Sequence, residues 1–486
     1  SRRTDLPWVA LSILLGCGTS SDGADEAEAG TTGTSGSSET TLPIPGDTGV
    51  VTTGSDTSST GVEPEDESSS DDDDDDGPDP DVPAVEPGDC ERLEELLTTL
   101  EDDETNGEAA IQAFFRDVAY GEHGFPMVDE DRICFAYRDP VGIPLSVAGD
   151  FNDWVVGVHD LDYASPDYDL RYAIVDVPAD SATGLYKFVR LRNDPEYFAD
   201  PSARRFGWDE FGEYSRIDAD TESYYERWPD FVDSDGSLLP RNLTVYVPAG
   251  TWTEGDLPVL YMHDGQNLFA PEAVFGGWRV GISMDYAVNQ GSVPPTLVVG
   301  IDNTADRFDE YTHVEDDLGG APIGGKADDY ADLIVGDIKP FIDERYPTST
   351  EPDATAVAGA SLGGLVSLYI GWRHPDVFGS AASMSGTVGW GAFAAGNPTV
   401  GELYDQTPPE GLRVYVDSGG GPGTGCPDGD SDNYCDNIVF ADTLRALGWE
   451  DGEDLLYVWE DSAGHNEAEW AERFPLMIED WFPGNL

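Results

Sequence analysis

Six short apolar runs, at residues 243–247, 257–262, 296–301, 354–358, 412–416 and 455–459, alternate with helical patterns near 327–343, 362–373, 437–447 and 467–481. Runs that are apolar throughout suit strands buried on both faces, and such strands need helices to cover them. The alternation therefore predicts an α/β domain with a mainly parallel sheet. About 260 residues from Glu222 onward are enough for one such core.

One predicted strand-to-helix turn carries chemistry. Gly359-Ala360-Ser361-Leu362-Gly363 lies between the apolar run Thr355 to Ala358 and the helix-like run Leu365 to Tyr369. A serine on a sharp turn needs small neighbours two residues away on each side, because its strained backbone brings strand and helix together. Gly359 and Gly363 supply that room. The pentapeptide is short, so its weight rests on partners appearing in the right order.

A histidine base belongs after the last core strand, where Ala463-Gly464-His465-Asn466-Glu467 follows Leu455 to Trp459. Of the six histidines, His123 and His159 lie in the amino-terminal part, and His313 and His374 lack the strand-then-loop context. His263 stands in Tyr261-Met262-His263-Asp264-Gly265-Gln266-Asn267-Leu268-Phe269, directly after the strand signal Leu257 to Leu260. In serine hydrolases built this way the loop after that strand gives one backbone N–H to the tetrahedral oxyanion and the residue after the serine gives the other. Gly265 lets the chain turn, which assigns the donors to Gln266 and Leu362. His263 and Asp264 read as braces of the loop, outside the triad.

The acid should follow the strand Leu412 to Val416, where Asp417, Asp428, Asp430, Asp432 and Asp436 are on offer. Asp417 ends the strand and reads as a brace for the turn. Asp432 stands just before a helical pattern at 437–447, the usual place of the acid, and is the reading adopted, with Asp417 as the alternative. Asp428, Asp430 and Asp432 also suggest a calcium loop. An EF-hand would need glycine and glutamate where Asn433 and Val439 stand, which disfavours it.

These residues together resemble the family of α/β-hydrolases that includes esterase D, enterochelin esterases and bacterial feruloyl esterases. Besides the segments above, the resemblance rests on Arg307 with Glu310-Tyr311-Thr312, on Lys339-Pro340-Phe341-Ile342-Asp343 and on Gly364-Leu365, and it covers the chain from about Arg241 onward. It implies a serine nucleophile, a histidine base and an acid after the penultimate strand. The Gly-rich stretch Gly419 to Gly425, followed by Cys426 and Cys435, departs from the family's usual short loop.

Ahead of this domain, residues 125–225 carry short alternating strands such as Arg132 to Tyr137 and Leu185 to Arg190 between Gly, Pro and Asp clusters, which indicates a small β-sandwich. Gly149-Asp150-Phe151-Asn152-Asp153-Trp154, with Tyr186-Lys187-Phe188 and Asp200-Pro201, resembles the immunoglobulin-like domains related to glycogen-binding modules. Trp154 could stack on a sugar ring or sit in the sandwich core, and Trp278 and Trp390 could line the substrate pocket or pack. Residues 90–124 read as a short helical segment, and the hydrolase follows over 226–486.

Arg2-Arg3, the apolar stretch Leu6 to Leu15 and Leu14-Leu15-Gly16-Cys17 read as a bacterial lipoprotein leader, residues 1–17, ending at a lipidated Cys17. Residues 18–89 are nearly devoid of apolar side chains and read as a disordered acidic tether. The expected location is the cell envelope, with the membrane reached through the lipid alone. Five cysteines less Cys17 leave four, and an oxidising compartment pairs them as Cys90 with Cys134 and Cys426 with Cys435. Neither metal nor cofactor is expected, and oligomeric state is left open.

The net charge is −74. Residues 1–89 hold 22 acidic and 2 basic side chains, which leaves −54 on the rest. That field excludes nucleic acid and anionic lipid as partners. It also repels itself, so Tm is expected to rise from low to molar salt as the repulsion is screened. A Tm that stays flat in a salt series would contradict this. The expected activity is hydrolysis of an acyl ester such as a feruloyl or acetyl ester on polysaccharide, with a siderophore ester or an inert glycan-binding protein as alternatives.

Overall fold

A computed structural model describes residues 89–481 other than 103–105, 166, 179, 180, 220, 221, 251, 254, 256, 394, 395, 427 and 428. The expected leader with Cys17, the acidic tether apart from its last residue, and Asp428 lie outside the described residues. The six apolar runs become the strands Arg241–Val247, Val259–His263, Leu297–Ile301, Thr355–Ala360, Arg413–Ser418 and Leu455–Trp459. Two further strands, Tyr224–Phe231 and Ser380–Met384, complete this part of the sheet.

From one edge the order runs Leu455–Trp459, Arg413–Ser418, Ser380–Met384, Thr355–Ala360, Val259–His263, Leu297–Ile301, Arg241–Val247, Tyr224–Phe231. The first six pair in parallel, and Arg241–Val247 is antiparallel to both neighbours. This is an α/β-hydrolase sheet. Apolar side chains cover both faces. Leu365, Leu368 and Ile370 of the helix Leu362–Arg373 belong to one core, and Phe474, Met477 and Ile478 of the helix Glu467–Trp481 belong to the other.

Ser380-Ala381-Ala382-Ser383-Met384 has none of the branched side chains that mark a strand, yet every residue is buried. The cause is close approach: a Cβ on Gly371 of the helix Leu362–Arg373 would lie 2.7 Å from Ala381 Cβ. Small residues are what lets helix and strand meet.

Beyond Tyr224–Phe231 the same sheet continues through Arg205–Asp209, Gly212–Arg216, Leu185–Arg190 and Leu145–Gly149. A second, four-stranded antiparallel sheet, Met127–Asp129, Arg132–Arg138, Leu170–Asp176 and Asp162–Tyr163, packs on this extension through Ile133, Phe135, Val147, Val175, Tyr186 and Phe188. The division expected at 225/226 therefore falls inside a strand that pairs on both sides. The helices Asp89–Asp102 and Gly107–Ala119 share a core with the second sheet, where Cys90 is bonded to Cys134. Tyr346, just after the helix Lys339–Arg345, ties that helix to the strand Tyr224–Phe231. Its hydroxyl donates to Glu226 Oε2 at 2.7 Å and accepts from Trp228 Nε1 at 2.9 Å.

Candidate active site

Ser361 is the residue between the strand Thr355–Ala360 and the helix Leu362–Arg373, and it adopts φ 58°, ψ −120°. A positive φ is costly for any residue with a Cβ and persists only where packing enforces it. The packing is tight here: a Cβ on Gly359 would stand 2.7 Å from the Gly363 carbonyl carbon, and one on Gly364 would stand 2.5 Å from Ser383 Oγ. Gly363 itself would tolerate a Cβ at ordinary contact distance, 3.4 Å. Gly364 thus carries the constraint that the sequence pattern attributes to Gly363.

The backbone N–H of Ser361 donates to Met384 O at 2.9 Å, and Thr387 N–H donates back to Ser361 O at 3.0 Å. The hydroxyl lies 3.5 Å from Thr387 Oγ1. Leu362 is the first residue of its helix, so its N–H has no acceptor within the helix.

His465 Nδ1 and Asp432 Oδ1 are 2.6 Å apart, with the two side chains 14% and 2% exposed. Among the described residues no hydrogen bond joins Ser361 to His465; such contacts commonly tighten only as the reacting complex forms. Asp417 is engaged elsewhere. Its carboxylate accepts from Arg473 Nε at 3.0 Å, Tyr415 Oη at 2.9 Å and Ser385 N at 2.9 Å, all in the interior. Burial pushes the Asp417 carboxyl up from its ordinary range against the pull of Arg473. Of the two aspartates weighed from sequence, Asp432 meets the histidine and Asp417 does not. Asp430 Oδ2 accepts from the backbone N–H of Cys435, and the disulfide Cys426–Cys435 closes this loop. Among the described residues no group of three or more His, Cys, Asp and Glu side chains is gathered to hold a metal ion.

The loop after Val259–His263 comes to the same place. Asp264 Oδ2 would touch a Cβ on Gly363, and Asn267 Nδ2 donates to Glu467 Oε1 at 3.2 Å, two residues past His465. Gln266 lies in the 3₁₀ turn Gly265–Asn267. Asp264, at φ 58°, is clamped by Arg307 through two bonds of 2.7 Å and by Asn303 Nδ2 at 2.6 Å. Burial would raise its carboxyl, but the Arg307 guanidinium outweighs this and holds it below the usual range. His263 Nδ1 faces Tyr330 Oη at 3.0 Å, and burial pushes the imidazole down to about 3, so it stays neutral near pH 7. Both residues brace the turn that presents Gln266.

Trp278 and Trp390 are core residues, 3% and 0% exposed. Trp278 packs beside Trp470 and Phe474, and Trp390 donates to Val314 O at 2.7 Å. Trp154 instead borders an open cleft of about 590 Å³ lined also by Lys187, Tyr197, Asp209 and Phe211. Ser385, Thr387, Trp470 and Arg473 stand around the Ser361 and His465 loops without having been marked by sequence. Their signal was absent because Ser385 and Thr387 follow a strand without branched residues, and Trp470 and Arg473 read as ordinary helix.

The family described as "Putative esterase" matches residues 239–480, about half of the chain. Residues 239–480 belong to this esterase family. The esterase domain is similar to several curated proteins. The uncharacterized protein YbbA of Bacillus subtilis is 29% identical over 185 residues, which are 37% of this chain and 68% of that protein. The iron(III) enterobactin esterase of Escherichia coli K12 is 34% identical over 187 residues, 37% of this chain and 42% of that enzyme. The endo-1,4-beta-xylanase/feruloyl esterase of Xylanibacter ruminicola is 23% identical over 256 residues, 51% of this chain and 30% of that enzyme. The match thus spans less than half of the length of either named esterase.

Proposed function

We propose that this protein is an envelope-anchored serine carboxylic ester hydrolase acting on neutral acyl esters, such as acetyl or feruloyl esters on polysaccharide. The observation that carries the reading is the 2.6 Å contact of His465 Nδ1 with Asp432, in loops that converge on a serine held at positive φ. Ser361 Oγ attacks the ester carbonyl while His465 Nε2 takes its proton. The N–H groups of Gln266 and Leu362 hold the oxyanion of the tetrahedral intermediate. Its collapse breaks the acyl–oxygen bond, and His465 returns the proton to the leaving alcohol. Water, activated by the same imidazole, then releases the acid and restores Ser361. Asp432 keeps Nδ1 protonated throughout, which leaves Nε2 free to act as base. The proposed anchor is the lipidated Cys17.

The choice of a neutral ester rests on charge. The net −54 on residues 90–486 repels a polyanion such as an iron(III) tris-catecholate and slows its encounter, whereas a neutral ester pays no such penalty. The cleft beside Trp154, with Tyr197 and Phe211, offers flat apolar faces of the kind a sugar chain stacks on.

Two measurements test the reading. A fluorophosphonate probe is expected to label the wild type and not Ser361→Ala; labelling that is absent from both points to an inert glycan-binding protein. Rates on p-nitrophenyl acetate, methyl ferulate and a ferric tris-catecholate triester, compared at low salt, are expected to favour the two neutral esters. Preference for the siderophore would overturn the neutral-ester reading while leaving the serine mechanism intact.

A further inference from the structure

Ser385 follows the strand Ser380–Met384 in a left-handed conformation, φ 48°. Its hydroxyl oxygen has three polar neighbours: Trp470 Nε1 at 3.0 Å, Arg473 Nη2 at 3.0 Å and Asp432 Oδ2 at 2.6 Å. An indole N–H and a guanidinium N–H can only donate, so together they occupy both lone pairs of the hydroxyl. The hydroxyl proton then has one place to go, Asp432 Oδ2. The same Oδ2 accepts the backbone N–H of Gly419, while Oδ1 faces His465 Nδ1. A proton on Oδ2 would point at two donors, so that oxygen can only accept. The arrangement closes with Asp432 as a carboxylate and the proton of the Asp432–His465 contact on Nδ1.

The charge count agrees with this bookkeeping. The side chain of Arg473 is 2% exposed, and its guanidinium binds Asp417 at 3.0 Å, lies 3.9 Å from Asp432 Oδ2 and approaches Glu460 Oε2 at 3.5 Å. A buried arginine remains protonated and demands anions around it.

We infer that Ser385, as an obligate donor, and Arg473, as a cation shared between Asp417 and Asp432, are positioning residues that keep Asp432 a carboxylate acceptor and limit how strongly it draws the Nδ1 proton of His465. Trp470 completes the device. Its Nε1–H fills one lone pair of Ser385, and its ring meets the His465 imidazole edge-on with centroids 5.0 Å apart. The final helix, Glu467–Trp481, thereby orders the acid–base pair from behind, although none of its residues is assigned a chemical step. This inference rests on the proposed serine mechanism for its kinetic consequence, but not for its protonation pattern.

The test uses the full chain and two readouts. In Ser385→Ala, kcat on p-nitrophenyl acetate is expected to fall on the order of 10- to 100-fold, as for loss of one hydrogen bond to a charged group, with KM nearly unchanged. The acidic limb of the kcat/KM profile should move to higher pH, because a carboxylate stripped of a donor holds the imidazolium more strongly. Arg473→Lys, which keeps the charge, should shift the limb less than Arg473→Met paired with Asp417→Leu, a change that removes both buried charges together. Independently of any turnover, histidine NMR should show the Nδ1-protonated tautomer of His465 in both proteins, with the Nδ1–H proton resonance displaced in Ser385→Ala as the contact with Asp432 strengthens. An unaltered Nδ1–H resonance in Ser385→Ala would overturn the inference even if the protein proved to hydrolyse no ester. An unaltered kcat and pH limb in an active Ser385→Ala would overturn it as well.

Discussion

Ser361→Ala is expected to lower kcat on p-nitrophenyl acetate by about 10⁶-fold with little change in KM, because no other group can form the acyl-enzyme. The residual rate should come from the amides of Gln266 and Leu362 and from binding. Ser361→Gly should be as inactive, yet it separates chemistry from stability. The backbone at φ 58°, ψ −120° costs a residue with a Cβ about 1–3 kcal/mol, which glycine escapes. Glycine forfeits about 0.5–1 kcal/mol of that gain through the greater freedom of its unfolded chain. Ser361→Gly should therefore unfold at higher denaturant concentration than Ser361→Ala, as equilibrium unfolding can measure. Retained turnover in Ser361→Ala would remove the serine mechanism, and equal stabilities would remove the strain argument.

The two candidate acids are expected to fail in different ways. Asp432→Asn should lower kcat by about 10⁴-fold while leaving the fold intact, because an amide in that place presents N–H where His465 Nδ1–H needs an acceptor and favours the wrong tautomer. Asp417→Asn should change kcat far less but cost about 3 kcal/mol of stability, since it removes the charge partner of a buried arginine. The lower end of the usual range applies because Arg473 keeps Asp432 and Glu460 nearby. Steady-state kinetics and denaturant unfolding on both variants decide the matter. Near-full turnover in Asp432→Asn, together with collapse of the rate in Asp417→Asn, would reverse the assignment.

The strands most legible in the sequence are those with bulky apolar residues. Leu455–Trp459 lies where the apolar run lies, and the helices Leu362–Arg373 and Glu467–Trp481 match their patterns residue for residue. Ser380–Met384 left no such trace, because the helix Leu362–Arg373, packed against it through Gly371, excludes large side chains there. That silence had a consequence for the site: the turn that follows supplies Ser385 and Thr387. Likewise Tyr224–Phe231 joins two parts of one sheet that composition would divide, since pairing on both edges of one strand is a property of its neighbours and not of its residues.

Local chemistry was readable wherever a backbone conformation restricts residue type, as at Gly359 and Ser361, or where a charged side chain must brace a turn, as at Asp264. The cysteine pairs were readable by count: Cys90–Cys134 and Cys426–Cys435 are the disulfides that form among the described residues. What the sequence determined alone was the strand–helix alternation of an α/β domain, short of Ser380–Met384, and the turn that strains Ser361, because periodicity and small-residue spacing are local. Only the tertiary structure decided which aspartate meets His465, across 33 residues of chain, and which buried arginine stands behind it. That choice lies among aspartates that residue type cannot tell apart, and it is made by the burial and hydrogen bonding that folding imposes.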